Sequence, residues 1–296
     1  MKNSHYKKPE DLGWLNDWIT RCKNEFSLPF TSTFVSTSKG KTHVYCYNMD
    51  KTELPAIVAV PGLRTTTAYW ALNKNLEPFR DKYRIFLIET IGQPGLSDGT
   101  NLNILNDSYG HWLTEVGNGL QLNEAFWMGA SFGCQLIVKL SQVSPHLIKK
   151  IAFICPGGIV QVSFRWKSMG TNLWFASFPN EKSKASFLKN IVYGPKMPID
   201  EKSKALATEG IVETVKRFRM YTAVPYPAPK KEFRNMTMPV LIMSGEMDYM
   251  FSPRRLQKRI PKVFTVQPKF EVLEGHCHAA ELGNLPFQKA QQFFEE

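Results

Sequence analysis

Short apolar runs recur along this chain at intervals that leave room for a helix between them. "ELPAIVAVPG" (53–62), "YRIFLIET" (83–90), "EAFWMG" (124–129), "KKIAFICPGG" (149–158), "MPVLIMSGE" (238–246) and "KFEVLEGH" (269–276) are built alike, from a few consecutive β-branched or aromatic residues closed by Gly, Pro or a charge. Strands buried on both faces lack the polar–apolar alternation of a half-exposed strand, so runs of this kind predict a parallel sheet covered on both sides. Helical stretches fill the intervals at 67–80, 106–120 and 132–143, and a last one is "LPFQKAQQFFEE". Upstream, "STFVSTSKGKTHVYCYNM" (32–49) alternates around a Lys-Gly turn and predicts an antiparallel hairpin. The expected fold class is α/β, a mostly parallel sheet with helices on both faces.

One segment interrupts this rhythm. Residues 159–235 contain no run of strand type; they are aromatic-rich, helix-like and end in a Pro-rich linker at 225–229. The expected organisation is therefore a core formed by 1–158 and 236–296, with 159–235 inserted as a helical cap. No apolar run reaches the 18 residues that a membrane-crossing helix needs. The N-terminus lacks the apolar core of a secretory signal. Five scattered cysteines (22, 46, 134, 155, 277) suit reduced, packed thiols. A cytoplasmic location is the expectation, with a periplasmic or secreted one open should a signal have been trimmed. The formal charge of +11 comes without a dense Lys/Arg block, which predicts a generally basic surface and no nucleic-acid partner.

The chemistry gathers in "FWMGASFGCQL" (126–136), where Gly129-Ala130-Ser131-Phe132-Gly133 lies between a predicted strand and a predicted helix. A strand turning at once into a helix strains the corner residue and crowds its neighbours. Small residues two positions to either side relieve the crowding and leave the hydroxyl standing at the carboxyl edge of the sheet. Serine needs a base to take its proton. Of six histidines (5, 43, 111, 146, 276, 278), His276 follows the last strand directly and is the expected base, with Gly275 supplying the turn; His278 is the runner-up. Asp248, in the loop after the penultimate strand, is the expected orienting acid, and Glu246 is the alternative there. The oxyanion donors are expected to be the backbone N–H groups of Phe132, after the nucleophile, and of Leu63 in "VPGLRTTTAYW". Trp166, Trp174, Phe175, Phe178, Tyr193, Phe218 and Tyr221 are candidates to line an apolar substrate pocket.

Taken together, the Gly129–Gly133 turn, Asp248, Gly275-His276 and "ETIGQPGLSD" (89–98) resemble the α/β-hydrolase fold superfamily, in its serine-nucleophile, cap-inserted, carboxylesterase-like branch. The 89–98 stretch is similar to the D-x-x-G-x-G-x-S turn of that family and to the I-G-D-P-G variant of some bacterial carboxylesterases. The resemblance spans about 30–296, leaving a helix-like segment at 9–26 outside it. Pro61 stands where the family usually has the His of its His-Gly pair, and Glu89 where Asp is usual. Serine as nucleophile argues against the haloalkane dehalogenase and epoxide hydrolase branches. The implied activity is hydrolysis of a small, apolar carboxylic ester through an acyl-enzyme. A thioesterase, lactonase, amidase, peptidase or C–C hydrolase using the same triad is the alternative, as is a ligand receptor of this fold with slow or no turnover. No cofactor is expected. "VSTSKGKT" (35–42) lacks the first glycine of a phosphate-binding loop, no G-x-G-x-x-G follows a strand, and His276-Cys277-His278 has no further metal ligands at suitable spacing.

Overall fold

The computed structural model describes residues 5–219 and 224–296. Its eight strands are β1 (Thr31–Thr37), β2 (Gly40–Tyr47), β3 (Ala56–Val60), β4 (Arg84–Ile88), β5 (Ala125–Ala130), β6 (Ile148–Ile154), β7 (Val240–Gly245) and β8 (Lys269–Leu273). They form one sheet in the order β1-β2-β4-β3-β5-β6-β7-β8. The β1/β2 and β2/β4 pairs are antiparallel and all others are parallel. The helices are α1 (Glu10–Lys23), α2 (Ser108–Gly119), α3 (Phe132–Val143), α4 (Thr171–Ser177), α5 (Glu181–Phe187), α6 (Glu201–Arg217), α7 (Pro253–Val263) and α8 (Leu285–Glu295).

Strand alternation sorts the core onto two faces. In β3, Ile57 and Ala59 face a cluster that also holds residues of α1 and α8, whereas Val58 and Val60 face one built with α2, α3 and α7. Because β3 is central and wholly buried, both of its faces must be apolar, which is why its sequence reads as a continuous run.

The expected helix over 67–80 is instead two 3₁₀ turns, Thr67–Ala71 and Glu77–Phe79. Between them Asn73 and Lys74 adopt left-handed conformations (φ 55° and 54°), which no α-helix accommodates. Asn73 uses this shape to reach α6: its N–H donates to Ser203 Oγ (2.8 Å), and its Oδ1 accepts from Asp200 N (2.9 Å).

Between β6 and β7 the described residues carry α4, α5, α6 and two π-helical turns, Trp166–Gly170 and Leu188–Val192, and no strand of the sheet. This segment is tied down from two sides. The indole N–H of Trp18 on α1 donates to Leu206 O on α6 (3.0 Å), and Arg21 pairs with Glu209. At its far end, Gln135 on α3 exchanges hydrogen bonds with the backbone of Tyr226, and Ala228 N donates to Gly158 O (2.8 Å).

Candidate active site

β5 ends at Ala130 and α3 begins at Phe132, so Ser131 alone makes the corner, with φ 48° and ψ −110°. A non-glycine residue rarely holds this conformation unless its surroundings over-determine it. Here they do: Ser131 N donates to Ile154 O, and Ser131 O accepts from Cys134 N and Gly157 N. The flanking glycines are steric necessities. A Cβ on Gly133 would lie 2.2 Å from Val60 O, and one on Gly129 would lie 2.9 Å from Cys134 N.

The imidazole that meets Ser131 belongs to His278, with Nε2 2.9 Å from Ser131 Oγ and Nδ1 2.9 Å from Asp248 Oδ2. Asp248 Oδ1 accepts from Met250 N (2.8 Å) and Phe251 N (3.0 Å), which fixes its carboxylate. A carboxylate acting as acceptor places the imidazole proton on Nδ1 and leaves Nε2 to accept from the serine hydroxyl. Burial disfavours the charged imidazole, but the charge of Asp248 and its hydrogen bond outweigh that, and the His278 pKa lies above the ordinary 6.5.

His276, the base expected from the sequence, is not in this chain of contacts. Its Nδ1 lies 2.8 Å from Glu274 O, its Nε2 is buried without a partner, and burial lowers its pKa. The reason is where the strand stops. β8 ends at Leu273, three residues before the expected 276, and Gly275 (φ 65°) turns the chain back so that His276 packs inward. Two more residues are needed to return to the rim, where His278 N donates to Ile191 O (3.0 Å). Glu246, the alternative acid, instead accepts from Gly275 N (2.8 Å) and helps hold that turn.

The loop after β3 runs beside Ser131: a Cβ on Gly62 would touch the serine Cβ at 3.5 Å. Without a histidine at 61, this loop is braced from the 89–98 turn. Gln93 Oε1 accepts from Arg64 N (2.9 Å), and Glu89 Oε1 accepts from Thr66 Oγ1 (2.5 Å). The other oxygen of Glu89 meets Leu96 N at 2.6 Å and His43 Nδ1 at 3.0 Å. Glu89 is thus a fully buried hub that joins the two loops.

A cavity of about 160 Å³ opens over Ser131 and His278. Its walls are mainly aliphatic, with Met169, Leu173, Ile191, Val192, Ile211 and Val215 all contributed by the segment between β6 and β7. None of the aromatic candidates among the described residues lines it. Trp166 and Phe178 are exposed, and Trp166 leans on Trp174. Phe175 stacks on Phe187, which does line the cavity. Tyr193 bonds to α6 through its hydroxyl, and Phe218 packs on Tyr6. Tyr221 lies outside the described residues. The candidate rings thus pack on neighbours or face outward, while aliphatic residues and Phe187 face the cavity.

Sequence reasoning missed two charged residues in the cavity wall, Arg64 and Glu281. Burial raises the Glu281 carboxyl to about 7; the nearby imidazole of His278 opposes this and Asp248 adds to it. Its position three residues beyond His278 was the available signal. Cys155 Sγ, an Asp248 oxygen and a His278 nitrogen lie within 4.8 Å of one another. A metal there would have to take a His278 nitrogen from its hydrogen bond to Asp248 or Ser131 and ionise a thiol whose pKa burial pushes well above its ordinary value.

The strand order, the strained serine corner and the serine–histidine–aspartate chain in the order Ser, Asp, His define an α/β-hydrolase fold. Comparison with known proteins agrees. The chain is 22% identical over 284 residues to an uncharacterized carboxylesterase, nap, of Bacillus subtilis, covering 95% of this chain and 89% of that one. The crystal structure of naproxen esterase from B. subtilis superposes with a TM-score of 0.78 at 17% identity, covering 98% of this chain and 100% of the other. The B. subtilis carboxylesterase CesB gives 0.78 at 17% identity, covering 97% and 98%. No family model matches the chain. The similarity thus reaches nearly the whole length, and α1 is not an addition outside it.

Proposed function

We propose that the protein is a serine hydrolase of small, apolar carboxylic esters, with Ser131 as nucleophile, His278 as general base and acid, and Asp248 as the group that orients His278. Ser131 Oγ attacks the ester carbonyl carbon as its proton passes to His278 Nε2. The carbonyl oxygen, now negative, is held by the N–H groups of Leu63 and Phe132. The bond to the alkoxy oxygen then breaks, and His278 returns the proton to the departing alcohol. Water repeats the sequence on the acyl-enzyme and frees the acid. Residues 159–235 act as a cap whose aliphatic side chains set the acyl or alcohol size that fits.

The observation that carries this reading is the pair of 2.9 Å contacts joining Ser131, His278 and Asp248 beneath an apolar cavity. Relatives named as carboxylesterases favour an oxygen ester over the other acyl derivatives that the same triad can cleave. A fluorophosphonate should label Ser131, located by mass spectrometry, and short-chain esters should outpace matched thioesters and lactones. Ser131→Ala should lose both labelling and turnover. Tight ligand binding without turnover of any of these substrates would instead identify a receptor.

A further inference from the structure

Three titratable side chains line the cavity. His278 is bonded to Ser131 and Asp248, and Glu281 sits in their electrostatic field. Arg64 stands apart: its Nε is buried without a partner, and its guanidinium makes no hydrogen bond or ion pair among the described residues. Only its backbone N–H is engaged, by Gln93.

An unpaired guanidinium in an apolar wall is costly, and burial already lowers its pKa. Its fork of donors suits a carboxylate, the planar anion that it can hold through two parallel bonds. Arg64 also lines the same cavity as Ser131, so an anion held by it would share that space with the serine hydroxyl. A chain of net charge +11 draws anions toward its surface as well.

We propose that Arg64 is the anion-binding element of the cavity and gives the site a preference for esters that carry a second, negatively charged carboxylate a few carbons from the scissile carbonyl. This rests on the ester-hydrolase reading above. The substrate class is half-esters of short dicarboxylic acids: the neutral end enters the aliphatic walls while the carboxylate pairs with Arg64.

Monoethyl glutarate and ethyl valerate test it, because they differ only by a carboxylate in place of a methyl group. The wild type should show a kcat/KM ratio, glutarate half-ester over valerate, above one. Arg64→Met should lower that ratio on the order of 10- to 100-fold, mainly through KM, and Arg64→Lys should keep part of it. Fluorophosphonate labelling of Ser131 in each variant shows that the site is assembled. Should Arg64→Met not fold, competition by glutarate against ethyl valerate in the wild type, stronger at low ionic strength, supplies the same answer. A wild-type ratio below one, a ratio that Arg64→Met leaves within twofold, or no competition by glutarate overturns the proposal. If neither ester is cleaved, the hydrolase reading fails by itself. Calorimetric binding of glutarate to wild type and Arg64→Met then decides the anion site: loss of binding in the variant supports it, and equal or absent binding overturns it.

Discussion

The corner at Ser131 was legible from its glycine frame, but which of His276 and His278 meets it depended on two residues of strand length. The structure gives these imidazoles opposite surroundings, one in contact with Ser131 and Asp248, the other folded onto a backbone carbonyl. His278→Ala should reduce kcat on the order of 10⁴-fold or more, as expected for loss of a triad member. His276→Gln, measured against the same ester, should retain activity within a few fold. The pH profile belongs to the same residues. In the proposed mechanism His278 must be neutral to accept the serine proton, and its pKa lies above 6.5, so kcat/KM should fall as pH drops through a value above 6.5. Ionised Glu281 raises that pKa, so Glu281→Gln should move the acidic limb to lower pH. Glu281 also bears on stability. Its folded pKa of about 7 exceeds the ordinary 4.5, so its contribution is present at low pH and lost as pH rises through about 7. Melting of Glu281→Gln should therefore gain on the wild type at pH 8 relative to pH 5.

At the scale of elements, the cavity wall depends on how α6 sits against α1 and the 67–71 turn. Gly210 lets them meet: a Cβ there would lie 2.5 Å from Trp18 Cζ2 and 2.5 Å from Tyr69 Oη. Ile211, Thr214 and Val215 of the same helix line the cavity. Gly210→Val should push α6 outward, cost about 1–3 kcal/mol in stability and raise KM for ethyl valerate more than it lowers kcat. Thermal melts with steady-state kinetics check both. The central strands β3 to β7 were legible because burial on both faces forces their composition. The 67–80 stretch was not, since the left-handed pair at Asn73 and Lys74 is held by Ser203 and Asp200, more than a hundred residues away. The aromatic candidates failed for a related reason: large rings in a helical insertion pack on each other or on Tyr6 as readily as on a substrate.

Across the whole molecule, the five cysteines offer a probe of global unfolding. All are free and buried, on both core faces, and burial raises the pKa of each thiol. The native protein should react with a thiol-specific chromogenic disulfide far more slowly than the unfolded chain, which should titrate five thiols. Fast native labelling of any of them would show local opening of the core around it.

By itself the sequence determined the sheet-and-helix alternation and the sharp corner at Ser131, because each follows from local patterning over a few adjacent residues. Tertiary structure decided which histidine meets the serine, which side chains face the cavity, and that Arg64 and Glu281 share it. Those outcomes depend on where strands end and on how segments distant in the chain pack. Such long-range contacts leave no periodic trace in the residues that make them.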